Sequence, residues 1–350
     1  MSKIIGYKKV DSFNFVPIYD VEPPKTNNMS NQISATVICD SINEYNDRIT
    51  TVECVVPRIV LAEFNTHRMF SRNSASSRAI PAKKIRDMVQ ENPFVPIKWM
   101  KEHKGMQGTD YFTDELSSYD GGKSEIPLVN MLNHTWLQAR DSAIEHAGFL
   151  SEDGLTKQLA NRLLEPFMYH KILVTATDWG NFTALRAHEA AEIHIQDFAY
   201  KLIEALNNST PKPLKSGEWH LPYGDKIVVD HPQPIEDVLK ICTARCAQTS
   251  YSTIGDDGKP MDYEKLVNLH DRLLANGHVS PFEHCARAMS WEEYGYFTKT
   301  VPAYDGNGHI AGKYTEQGWS GNFSGWIQYR KLLPNENRTD SRIIKKKYNG

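Results

Sequence analysis

No stretch of the 350-residue chain approaches the run of roughly 18 apolar residues that a bilayer-spanning helix needs. The opening MSKIIGYKKVDSFNF has neither the apolar stretch nor the small-residue cleavage site of a signal peptide, so a soluble, cytoplasmic protein is expected. Excess charge is missing too. Lys and Arg number 40 against 43 Asp and Glu, a net charge of −3. A protein that grips duplex DNA by neutralising many phosphates carries a basic surplus, so no stable nucleic-acid partner is expected. The five cysteines, Cys39, Cys54, Cys242, Cys246 and Cys285, are odd in number and contain no CxxC, which reads as reduced thiols rather than staples. GxxxxGK[ST] is absent, no GxGxxG follows a strand, and there is no GxSxG elbow, so a P-loop, a Rossmann site and a serine hydrolase are not indicated. His188-Glu189-Ala190-Ala191-Glu192 approaches the zincin HExxH, but Glu192 stands where the second ligand belongs. The Glu–His spacings around Glu189, Glu192 and His194 also fail the ExxH pattern of di-metal bundles, so no metal is expected.

What is present divides the chain unevenly. Residues 1–33 read as an N-terminal arm ending in Pro23-Pro24. Stretches 35–40 and 50–56 are β-branched and read as strands of a hairpin around the polar turn 43–47. A helix begins near Ile59 after Pro57. Residues 92–127, without a sustained period, read as an insertion or long functional loop. Helices are expected over 128–149, 155–170 and 184–206. In the last, Ala191, Ile195, Phe198, Ala199 and Leu202 form one apolar stripe, with Arg186 near the start on a second stripe. The Pro- and Gly-punctuated 207–235 is the internal boundary, giving segments 34–210 and 236–338. Asp262 is placed to cap a helix that Gly277 ends, and 339–350 reads as a basic, solvated tail.

The densest polar cluster runs from Thr66 to Arg78, with three arginines, a histidine, four serines and an asparagine in 13 residues. Guanidinium forks, hydroxyls and loop amides at this density suit recognition of phosphate and planar rings. An ordinary polar surface loop has the same composition.

Four strings together resemble the flavin-dependent thymidylate synthases. The family signature is RHR, two residues, Ser, one residue, Asn-Glu, one residue, Ser, one residue, Arg. Here His67, Arg68, Ser71, Asn73, Ser76 and Arg78 match it, while Thr66 replaces the leading Arg and Ser74 the Glu. Ala160-Asn161-Arg162-Leu163-Leu164-Glu165-Pro166 is similar to the family's Ala-Arg-x-x-Leu-Pro segment. Asn181-Phe182-Thr183-Ala184-Leu185-Arg186 is similar to its Asn-Phe-x-x-Leu-Arg helix. Gly277-His278-Val279-Ser280-Pro281-Phe282-Glu283-His284, preceded by Ala244–Tyr251, resembles the family's N-terminal part, yet here comes late. Gly325–Lys331 resembles the family's approach to its leading Arg. With Gly217–Pro222, the pattern looks like a form found in bacteriophages.

The resemblance implies an α/β (α+β) fold of the family type: a mixed sheet with long helices, permuted or partly duplicated. It implies an enzyme that converts dUMP to dTMP with FAD as cofactor, methylenetetrahydrofolate as carbon donor and NADPH as reductant, and without a cysteine nucleophile. By the same resemblance His67, Arg68, Asn73, Asn181, His278 and Ser280 contact FAD. Ser76, Ser77, Arg78 and Arg162 hold dUMP, and Arg186 is the catalytic arginine at N3 of the uracil. Arg330, with Glu336 as the accompanying carboxylate, is expected to fill the space left by the missing Arg and Glu and so to bind substrate. A homo-oligomer is implied, a tetramer or, if the chain is pseudo-symmetric, a dimer. A relative acting on another one-carbon group or pyrimidine nucleotide, and a silent nucleotide-binding protein of the same fold, are the rival readings.

Overall fold

A computed structural model describes residues 3–9, 15–20, 32–105, 108, 110–113, 127–224, 234–249, 262–305, 309–334 and 336. The basic tail, Ser250 and Tyr251, and parts of 92–127 and 207–235 lie outside the described residues. The chain is a mixed α/β protein with helices and several sheets. Within the arm, β1 (Lys3–Lys9) and β2 (Phe15–Asp20) pair antiparallel, an element the composition did not suggest.

The expected hairpin is present as β3 (Ser34–Ile42) and β4 (Arg48–Pro57), antiparallel, with a bulge between Val37 and Cys39. Its turn is shaped by Asn43, whose Oδ1 accepts from the backbone N–H of Tyr45 and Asp47, and by Asn46 at φ +68°. After Pro57 a 3-10 turn, Arg58–Val60, leads into the short α1 (Leu61–Phe64). Then β5 (Ser71–Ser74), inside the polar cluster, returns to the sheet, and α2 (Ala82–Glu91) follows.

Described residues of 92–105 pack onto the helical layer rather than leaving it. Phe94 is fully buried, Trp136 Nε1 donates to its carbonyl, and Trp99 Nε1 donates to Asn133 of α3 (Leu128–Glu152). The helix expected over 155–170 is instead α4 (Lys157–Ala160) and a 3-10 segment, Asn161–Phe167. Pro166 cannot supply a helical N–H, and from Tyr169 the chain is already β6 (Tyr169–Ala176).

The helix expected over 184–206 is two helices. α5 (Gly180–Arg186) ends at Arg186, and α6 (Ile193–Asn208) starts anew, capped by the Glu192 carboxylate, which accepts from the backbone N–H of His194 and Ile195. Arg186 thus sits at a helix end, not near the start of a long one. The stripe on α6 holds: Ile195, Phe198, Ala199 and Leu202 are buried against Val52, Cys54, Val56, Ile172 and Val174. Each fully buried Val, Leu, Ile or Phe among them contributes about 1.5–3 kcal/mol.

The central sheet has the order β5-β6-β4-β3-β7, where β7 (Lys212–Pro213) alone pairs parallel. Its two faces differ. Even-numbered positions of β4 and β6 bury apolar side chains under α6. The opposite face carries a polar row, Cys39, Thr51, Thr175 and Ser71, which are successive register partners across four strands.

The later segment closes that polar face. β8 (Trp219–His220), β9 (Ala286–Ala288) and β14 (Trp326–Gln328) form a second sheet. α7 (Ile235–Cys246) and α8 (Tyr263–Ala275) pack with Cys285 into a small core of their own. Asp262 caps α8 through the N–H of Lys265, and Gly277 at φ +72° follows its end, as the spacing predicts. α9 (Trp291–Tyr296) precedes the exposed hairpin β10 (Thr298–Tyr304) and β11 (Ile310–Gln317), and the short pair β12 (Trp319–Ser320) and β13 (Phe323–Ser324) leads to β14. Hydrogen bonds carry the docking. His220 bonds Ser41 and Thr51, His284 bonds Thr175, and Gln328 donates to Ser71.

Candidate active site

β5 lies at the edge of the central sheet, and the polar cluster wraps around it. Upstream, α1 turns into residues 65–70. Arg186, arriving from α5, donates through Nε to His67 Nε2 at 3.0 Å and through NH1 to Glu63 Oε2 at 3.0 Å. His67 is buried, edge-on to Phe182 at 4.8 Å. Burial, then the nearby charges of Arg186 and Arg72, push its pKa down to about 4. His67 is therefore neutral, its Nε2 an acceptor and its proton on Nδ1. Arg72 braces the same loop by donating to the carbonyls of His67 and Phe64.

Downstream of β5 a second polar corner forms. Ser77 is buried and donates to Glu165 Oε1 at 2.7 Å. Arg162 reaches both oxygens of Glu165 through NH1, at 3.0 and 3.2 Å, and Arg58 reaches both at 3.4 Å. These partners hold the Glu165 carboxyl below its usual range despite burial. Asn161 donates to the carbonyls of Ser77 and Ile80 and so fixes the loop that carries Ser76, Ser77 and Arg78.

The later segment supplies the third wall. Asn73 is buried and donates to the Cys246 carbonyl at 3.0 Å. The 3-10 turn Ser280–Glu283 packs against β5. Arg330 is joined to Glu283 and lies 3.5 Å from Glu336, and the Glu283 charge also acts on Arg72.

Of the residues singled out from sequence, Arg186 and His67 are in direct contact, and Ser77 and Arg162 meet on Glu165. Asn73 faces the later segment. Arg68, Arg78, Asn181, His278 and Ser280 are exposed. Glu63, Arg58, Arg72, Glu165 and Glu283 were not anticipated.

His194, weighed as a ligand, is fully used by structure. Its Nδ1 faces Glu192 and its Nε2 accepts from the Ile97 N–H at 3.1 Å. A cleft of about 580 Å3 lies elsewhere, at the β3–β7 edge, lined by Cys39, Asp40, Ser41, Lys212 and Trp219 among others. No described helix is long and apolar enough to cross a membrane.

A family model described as thymidylate synthase complementing protein matches residues 48–212. No curated protein matches the chain significantly. The matched span runs from β4 to β7 and includes the polar cluster, Arg162 and Arg186; His278, Ser280 and Arg330 lie beyond it. Residues 48–212, which carry the polar cluster, Arg162 and Arg186, are thus similar to the thymidylate synthase complementing protein family.

Proposed function

We propose that this protein is an FAD-dependent thymidylate synthase that methylates dUMP to dTMP, with methylenetetrahydrofolate as carbon donor and NADPH as reductant. The observation that carries the reading is the fixed Arg186 guanidinium, held on one side by Glu63 and on the other by a neutral His67. A preorganised cation beside N3 of the uracil favours the enolate-like form that makes C5 nucleophilic, an effect worth orders of magnitude in rate. Since His67 stays neutral, it adds no competing charge and orients the arginine by accepting its N–H.

Ser76, Arg78 and Arg162 hold the dUMP phosphate in this reading, with the exposed Arg78 free to swing onto it, while the Ser77 hydroxyl, expected on dUMP, is spent on Glu165. The donor set around β5 fits a flavin nucleotide: Arg68, Asn181, His278 and Ser280 offer exposed cationic and hydrogen-bonding groups, and Asn73 anchors the wall between them. FAD, when bound, supplies the redox chemistry and the route for the carbon unit. The chain's residues position, exclude water and steady charge. None of the cysteines is recruited, which agrees with the thiols of Cys54 and Cys246 being pushed up by burial and that of Cys242 by its hydrogen bond with Cys285 and by burial.

In the same reading Arg330 stands in for the signature's missing arginine. Its support is the bond to Glu283 on the turn against β5 and the nearby Glu336. An Arg330→Ala protein with unchanged FAD content and dUMP affinity overturns that assignment. The rival reading, a silent nucleotide-binding relative, is favoured by Thr66, whose hydroxyl is spent on the Glu63 carbonyl at 2.7 Å. The deciding experiment is simple. The purified protein should be yellow, bleach with NADPH, and release tritium from 5-³H-dUMP when methylenetetrahydrofolate is added. A colourless protein that takes up no FAD removes the proposal. A yellow one that releases no tritium moves it to another carbon group or nucleotide.

A further inference from the structure

Glu165 stands where the Ala-Arg-x-x-Leu-Pro pattern, aligned on Arg162 and Pro166, has leucine. A leucine there could make none of the bonds that Glu165 makes. We propose that Glu165 is a positioning residue that presets Arg162 for the phosphate of a nucleoside monophosphate. This rests on the reading of the site given above.

The geometry assigns the role. The Glu165 side chain is 18 % exposed and Arg162 is 47 % exposed, so an anchored acid holds a cation that faces solvent. Ser77 and Arg58 pin the carboxylate from the buried side, and Arg58 in turn leans on His170 Nε2 at 3.2 Å. Burial and the charge of Arg58 lower the pKa of His170 to about 4, so the support behind Arg58 is a neutral imidazole. All contacts from Arg162 to Glu165 run through NH1. The edge formed by Nε and NH2, which matches two phosphate oxygens, is left for a ligand. Asn161, on the same 3-10 segment, clamps the Ser76–Arg78 loop, so one short element sets both jaws of the anion pocket.

The test compares binding of dUMP, deoxyuridine and inorganic phosphate to the FAD-loaded wild type, Glu165→Gln and Glu165→Leu, by calorimetry. Glu165→Leu should weaken dUMP about tenfold or more and leave deoxyuridine unchanged, since only the phosphate contact depends on a held arginine. Glu165→Gln keeps an acceptor for Ser77 and Arg162 and should recover most of the loss. In an Arg162→Ala background Glu165→Gln should change nothing, which serves if the leucine variant fails to fold. Tighter dUMP binding by Glu165→Leu would mean that the acid competes with phosphate, and equal weakening of dUMP and deoxyuridine would mean a structural role only. Either overturns the proposal. A wild type that binds phosphate with this Glu165 dependence yet shows no preference for dUMP upholds Glu165 and overturns the nucleotide reading instead.

Discussion

Arg186 Nε meets His67 Nε2 at 3.0 Å, joining the end of α5 to the loop after α1 across 119 positions of sequence. A neutral imidazole as acceptor and a guanidinium as donor make each side chain the other's guide. Replacing Arg186 with Ala should lower turnover by about 10²–10³-fold, the range seen when a preorganised donor is removed. The His67 pKa should rise from about 4 but stay below its ordinary value, because burial is the larger cause. Imidazole NMR reads the shift, and tritium release reads the rate.

Acid should unfold the protein early. His67 and His170 titrate near 4, and His220 and His284 near 3, all depressed first by burial. Unfolded histidine takes up a proton near 6.5. Between these values the unfolded chain binds protons that the folded one does not, so stability is full above about pH 6.5 and falls as pH drops toward 4. Each histidine adds about 1.4 kcal/mol per pH unit to that slope. Urea midpoints from pH 7 to 4.5 check it, and His170→Gln should reduce the slope by one proton.

The polar row beneath the later segment should behave as a unit. Thr51 Oγ1 lies 2.7 Å from Thr175 Oγ1, with His220 on one and His284 on the other. Thr51→Val and Thr175→Val should each cost about 1–3 kcal/mol, because each strands a buried imidazole nitrogen. The double variant should cost clearly less than the sum. Denaturation of the three variants gives the coupling, and simple additivity would contradict it.

Gly325 should resist any side chain. It sits at φ +76°, and a Cβ there would lie 2.3 Å from Asp47 Oδ2 and 2.4 Å from Asn43 Nδ2. Both side chains belong to the β3–β4 turn and are already spent, Asn43 on the Gly325 carbonyl and Asp47 on Ser324. Gly325→Ala should destabilise by more than about 2 kcal/mol, from left-handed backbone strain and lost docking bonds together. Thermal unfolding measures it.

The hairpin, the α8 caps and the α6 stripe were legible because local chemistry decides them: β-branched runs, an Asp and a Gly at helix ends, a 3.6-residue period. The break between α5 and α6 was not, because a glutamate, Glu192, does the capping and the apolar pattern runs through without a Gly or Pro. β6 went without an assignment, although Ile172-Leu173-Val174-Thr175 is a short buried run of the kind central strands show. Around β5, Arg186, His67, Ser77 and Arg162 were singled out from sequence, and the structure brings them together in two groups. Their acidic partners were not singled out, because Glu63 and Glu165 gain meaning only when distant elements meet.

With both imidazoles neutral, the row from Ser41 through His220, Thr51 and Thr175 to His284 has only two complete proton arrangements, one pointing each way. In one, His284 Nε2 carries a hydrogen; in the other it carries a bare lone pair. That atom is buried and has no hydrogen-bond partner among the described residues. A single donor or acceptor arriving at His284 Nε2 therefore orients every proton back to Ser41, at the rim of the β3–β7 cleft, two strands away across the same face of the sheet.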